Sequence, residues 1–98
     1  MTTFAWLVGA SLFASGLAMV ILRRELIAML LGVETMIVAV NLALLYTAVA
    51  RADSDGLASA LIIIGVAAAE AAVGLSLILR LHRSGRSADS AELQELRG

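Results

Sequence analysis

Apolar residues fall along this chain in three long blocks, with little alternation of polar and apolar positions. Residues 4–22 carry no charge, 26–50 carry only Glu34, and 57–79 carry only Glu70. Each block is near or above the roughly 18–20 residues that take an α-helix across a ~30 Å hydrocarbon layer. Strands of a membrane barrel would alternate polar and apolar positions over about ten residues, and these blocks do not. The pattern predicts three transmembrane helices, over about 3–22, 25–50 and 57–82.

The connectors are "RRE" (23–25) and "RADSDG" (51–56), too short to hold a ligand-binding domain. Connectors this short force consecutive helices to lie side by side and antiparallel. The expected fold class is an all-α integral membrane bundle of three antiparallel helices. All seven basic residues are arginines, and all lie outside the blocks. Two sit in the first connector, one beside two aspartates in the second, and three in "RLHRSGR" (80–86). Arginine collects on the cytoplasmic side of membrane proteins, so the expected topology is N-out, C-in. The first block has no basic residues before it, unlike a secretory signal, and is expected to be a retained span. Residues 1–86 then form the membrane domain, and 87–98 a polar cytoplasmic tail with at most a turn or two of helix.

Composition narrows the chemistry. At 98 residues and 61% hydrophobic, the chain is one domain with the lipid bilayer as its first partner. It has no cysteine and one histidine, which leaves no disulfide framework and no thiolate metal site. A haem, an iron–sulfur cluster or another cofactor held by this chain alone is not expected, nor is a nucleic-acid partner. Trp6 and Tyr46 fall near the outer ends of the first two spans, where an aromatic belt is usual. His82, between Arg80 and Arg83, reads as interfacial.

Glu34 and Glu70 are the chemically informative residues. Glu34 lies eight residues into the second block, about 12 Å deep, and Glu70 lies ten residues before Arg80, about 15 Å deep. Both carboxyls are thus expected near the membrane midplane, at similar depth on neighbouring helices. An acid at a helix centre costs about 2.5–3.5 kcal/mol on the insertion scale, and glutamate is too short to reach the interface. Each must face protein or water and either hold a proton or find a cation. Removal from water favours the protonated form of a carboxyl, which suits such a group to taking up and releasing protons. The apolar blocks contain no Lys or Arg, so any cationic partner belongs to another subunit. Asn41 falls within about 20° of Glu34 on the helix surface and could hydrogen-bond a nearby water. Alanines and glycines around Glu70 allow close helix approach or leave room for water. The competing reading makes the acids protonated staples that only pack helices together. Arg23 and Arg24 read first as membrane-orienting anchors.

"RRELIAMLLGVETMIVAVNLALL" (23–45), followed by "AAAEAAVGLSLILRLHR" (67–83), resembles the K subunit family of bacterial respiratory complex I, the proton-pumping NADH:quinone oxidoreductase. That family includes the mitochondrial 4L type and its chloroplast and cyanobacterial counterparts. The resemblance covers the chain up to residue 86. It implies a membrane-arm subunit between the quinone region and the antiporter-like pumps, with J-, A-, H- and N-type subunits as neighbours. It also implies that Glu34 and Glu70 join a lateral chain of buried carboxyls, lysines and waters, and that Arg23 and Arg24 form the basic cytoplasmic loop. NADH or ferredoxin, flavin, iron–sulfur clusters and quinone would belong to other subunits. The location implied is a cell inner membrane, or a thylakoid or plasma membrane according to the organism. Relatives commonly carry a bulky apolar residue where this chain has Thr35. Two alternatives share features: the C subunit of multisubunit cation/proton antiporters, which matches the first glutamate region, and a purely structural assembly subunit. An ATP-synthase rotor subunit also carries a membrane acid, but on a two-span hairpin with one acid.

Overall fold

The computed structural model describes residues 2–85; the expected tail at 87–98 lies outside them. Three helices follow in order: α1 (Thr2–Leu22), α2 (Leu26–Ala50) and α3 (Ser54–Arg83). Each is long and apolar enough to cross a membrane. Helix α2 is central, packed on α1 along one side and on α3 along the other, while α1 and α3 hardly touch.

Helix ends follow local chemistry. The α2–α3 turn closes with Asp53 N–H donating to Ala48 O at 2.8 Å and Ala52 N–H to Val49 O at 3.2 Å. Ala52 takes the left-handed conformation, with φ 52°, that this type of helix end requires and that glycine usually fills. Asp53 then caps α3, its Oδ1 accepting from the Asp55 and Gly56 amides at 3.1 and 3.2 Å. That cap starts α3 at Ser54, three residues earlier than the apolar block at Leu57 suggests. At the other end Gly85, with φ 78°, stops α3 just past Arg83. Helix α2 starts after Glu25, which makes no side-chain cap bond.

Two glycines set the α1–α2 crossing. A Cβ on Gly32 would lie 2.6 Å from the Gly16 carbonyl oxygen, and a Cβ on Gly16 2.5 Å from the Gly32 oxygen. Only glycine permits that backbone approach. In lipid there is little hydrophobic force between helices, and close van der Waals packing takes over. At the N-terminal end of α1 the pair is tied by Thr2 Oγ1 and Tyr46 OH, 3.0 Å apart, so Tyr46 has a polar contact besides any role at the interface. On the other side of α2, Leu30 lies against Gly74 and Ala48 against Gly56. The buried apolar residues are mostly small: Ala28, Ala39, Ala48, Ala60 and one larger side chain, Ile78. Large apolar side chains mostly point outward, as in a chain surrounded by lipid or other subunits.

Candidate functional site

Helix register decides how the two glutamates relate. Because α2 and α3 run antiparallel, each step forward on α2 matches one step back on α3. Four residues beyond Leu30 is Glu34, and four residues before its contact Gly74 is Glu70. The Ala48–Gly56 contact at the far end gives the same register. The carboxyl-bearing residues are therefore level.

They do not face each other. The α2 residues directly against α3 are Leu30, Asn41 and Ala48, which at ~100° per residue fall within about 20° of one another. By the same count Glu34 lies about 20–40° to one side of that line, and Ile37 about 20–40° to the other. Glu70 shares a cleft with Ile37, Ile63, Val66 and Ala67, so it opens on Ile37's side. The two acids stand on opposite flanks of the α2–α3 seam.

Their surroundings differ too. Glu34 is half-buried, and its Oε1 is shielded with no hydrogen-bond partner among the described residues. Glu70 is exposed on the surface of the chain. A shielded acceptor without a partner is costly, and an acid at this depth exposed to hydrocarbon is also unfavourable. Each carboxyl is thus left to be completed by something beyond the described side chains.

Asn41 sits between α2 and α3 at 8% exposure. Its Nδ2 donates to the Ala60 carbonyl at 3.2 Å, while its Oδ1 is buried with no partner among the described residues. It lies two turns from Glu34, about 10 Å along the axis, too far for a direct bond. Its visible role is to pin α3 to α2. Thr35, next to Glu34, turns its hydroxyl back to the Leu31 carbonyl at 2.7 Å and adds nothing polar to the acid. Arg23 and Arg24 are exposed in the α1–α2 connector, well away from either glutamate. Asp53, before Ser-Asp-Gly, carries a recognisable capping signal, whereas the mutual approach of Gly16 and Gly32 has no signature in the sequence beyond the glycines themselves.

Three antiparallel helices, each long and apolar enough to cross a membrane, define a multi-pass membrane protein. The family model for NADH-ubiquinone/plastoquinone oxidoreductase chain 4L matches residues 4–98, and the chain belongs to that family. NADH-quinone oxidoreductase subunit K of Roseiflexus castenholzii is 40% identical over 97 residues, covering 99% of this chain and 97% of that protein. The subunit of the same name from Gluconacetobacter diazotrophicus is 43% identical over 82 residues, covering 84% of this chain and 79% of that protein. The chain is thus one subunit of a multisubunit oxidoreductase, and its partners are other subunits of that complex.

Proposed function

We propose that this chain is a membrane-arm subunit of a proton-translocating NADH-quinone oxidoreductase, and that Glu34 and Glu70 form one stage of its lateral proton-transfer chain. The observation that carries this reading is their placement: level with each other, and on opposite flanks of one helix seam. A stapling pair would be expected to meet across the seam and satisfy each other. A relay stage needs one carboxyl open to each side, so that a proton taken up on one flank can be delivered on the other.

In this reading Glu34 receives or gives a proton through its unpartnered Oε1, and Glu70 exchanges with a group on the adjoining subunit. Transfer between them crosses the seam through water, since no direct bond joins them. Asn41 acts as a positioning residue by holding α3 in register. Arg23 and Arg24 orient the chain with its N-terminus outside and its C-terminus in the cytoplasm. The J-, A-, H- and N-type subunits are its neighbours, and the complex lies in the cell inner membrane, or a thylakoid or plasma membrane according to the organism. Electron donor, flavin, iron–sulfur clusters and quinone are bound by those other subunits.

The test replaces each acid by Gln, which keeps shape and hydrogen bonding while removing titration. Glu34→Gln and Glu70→Gln should leave the complex assembled and lower proton uptake by inverted vesicles. The larger loss is expected at Glu34, whose carboxyl is the more enclosed. Glu→Asp should retain more activity than Glu→Gln at either position. Pumping at the wild-type rate in both Gln variants would make the acids packing residues.

A further inference from the structure

Helix α3 turns a distinct face away from α2 at its arginine-bearing end. Gly65, Ala69, Ala72, Ser76, Arg80 and Arg83 follow one another at spacings of three and four residues, which keeps them within about 80° of one another. All six are exposed. Gly74, which meets Leu30, and buried Ile78 mark the side against α2; Arg80 and Arg83 stand about 120–180° round the helix from them. A Cβ added at Gly65 would meet nothing within 4 Å. Exposed Val73 and Leu79 flank the small residues, leaving a shallow furrow about 22 Å long from Gly65 to Arg80. At its arginine end the furrow opens into a cleft near 290 Å³, lined by Ser76, Leu79, Arg80 and Arg83. The Leu30–Gly74 register makes Arg80 level with Arg24 in the connector, where the apolar blocks end and lipid headgroups begin.

We infer that this furrow binds one anionic phospholipid, its phosphate held by the Arg80 and Arg83 guanidinium groups and an acyl chain laid over Ala72, Ala69 and Gly65. Guanidinium is a planar set of donors that suits phosphate. The Ser76 hydroxyl already donates to the Ala72 carbonyl at 2.8 Å, so the arginines are the donors the cleft offers. Charge decides among the occupants. Among the described residues this end of the bundle carries four arginines, Arg23, Arg24, Arg80 and Arg83, against one acid, Glu25. A membrane helix of another subunit gathers its own Lys and Arg at the same level and would meet them with like charge. A phospholipid phosphate brings negative charge to that level, and basic groups at an anionic membrane surface bind it favourably. A free phosphate would match the arginines and leave the apolar furrow unfilled. The order along the furrow, two cations at the boundary and then small apolar residues running inward, is the order of head and tail in a lipid. This inference does not depend on Glu34 or Glu70 moving protons.

The experiment uses the intact complex in phosphatidylcholine vesicles that contain a trace of photoreactive lipid. The probe carries a diazirine midway along one acyl chain and either a phosphatidylglycerol or a phosphatidylcholine headgroup. After irradiation, adducts on residues 65–79 are mapped by mass spectrometry. The phosphatidylglycerol probe should label this face at least several-fold more than the phosphatidylcholine probe, and Arg80→Gln with Arg83→Gln should remove the preference. Unlabelled phosphatidylglycerol should compete, whereas inorganic phosphate at the same concentration should not. Equal labelling by the two probes would make the arginines membrane anchors only, and labelling by neither would mean that protein covers the face; either overturns the inference. So would a preference that survives in the double variant, or equal competition by inorganic phosphate. If the double variant fails to assemble, the two probes and two competitors on the wild-type complex still decide. Arg83→Gln alone should then lower the preference, and an unchanged preference would refute the site.

Discussion

Adding a single methyl at Gly32 should separate α1 from α2. The Cβ of Gly32→Ala would stand 2.6 Å from the Gly16 carbonyl oxygen, 2.9 Å from Val20 Cγ2 and 3.0 Å from Met19 Cβ. Ordinary contact begins near 3.4 Å, and the nearest atom is backbone, which cannot rotate away. The helices must therefore part by most of an ångström at their closest point. Overpacking of this kind costs about 1–3 kcal/mol, here through lost van der Waals contact along the crossing. Gly16→Ala meets the Gly32 oxygen at 2.5 Å and should cost a similar amount. Since either methyl forces the same separation, the double variant should lose less than the two single losses together. Gly65→Ala is the control: nothing lies within 4 Å of its added Cβ, and alanine is the better helix former by ~1 kcal/mol. The chain has one tryptophan, and Trp6 lines the α1–α2 cleft, so its fluorescence reports their separation. Titration of the micellar chain with sodium dodecyl sulfate, followed by that signal, should show earlier transitions for Gly16→Ala and Gly32→Ala but not for Gly65→Ala. Wild-type behaviour in Gly32→Ala would refute the crossing geometry.

Removing the α3 cap with Asp53→Ala should cost about 1 kcal/mol and fray the first turn; faster amide exchange at Asp55 and Gly56 is the readout. Arg23→Ala with Arg24→Ala should lower oxidoreductase activity moderately in an assembled complex, and complete loss of pumping there would show that these arginines do more than orient the chain. For topology, a cysteine at Ser54 should react with an impermeant thiol reagent from outside, and one at Ser84 should not; the reverse labelling would invert the orientation.

Much of this architecture was legible because membrane helices announce themselves by length and apolarity. The three blocks mark three helices, and counting residues from their ends puts Glu34 and Glu70 at one depth, as the register of Leu30 on Gly74 also does. Helix α3 starts before its apolar block because such a block marks where hydrocarbon begins, whereas the helix begins where Asp53 satisfies its first amides. The sides on which the acids stand were not legible. Every face of α3 near Glu70 is made of small apolar residues, so no hydrophobic stripe shows which one meets α2. That rotation is fixed by particular contacts between helices, chiefly Asn41 on the Ala60 carbonyl and Leu30 against Gly74. Asn41's nearness to Glu34 on the helix surface is legible from residue spacing, whereas its bond to α3 belongs to tertiary structure that one sequence does not display.

The central claim is that Glu34 and Glu70 act in series across the α2–α3 seam. The most direct measurement compares proton uptake by inverted vesicles bearing Glu34→Asp, Glu70→Asp and the double variant, normalised to the amount of assembled complex. Two steps of one path share a single slowest step, so the double variant should pump about as well as the slower single variant. Losses that multiply in the double variant, or wild-type uptake in all three, would contradict the account.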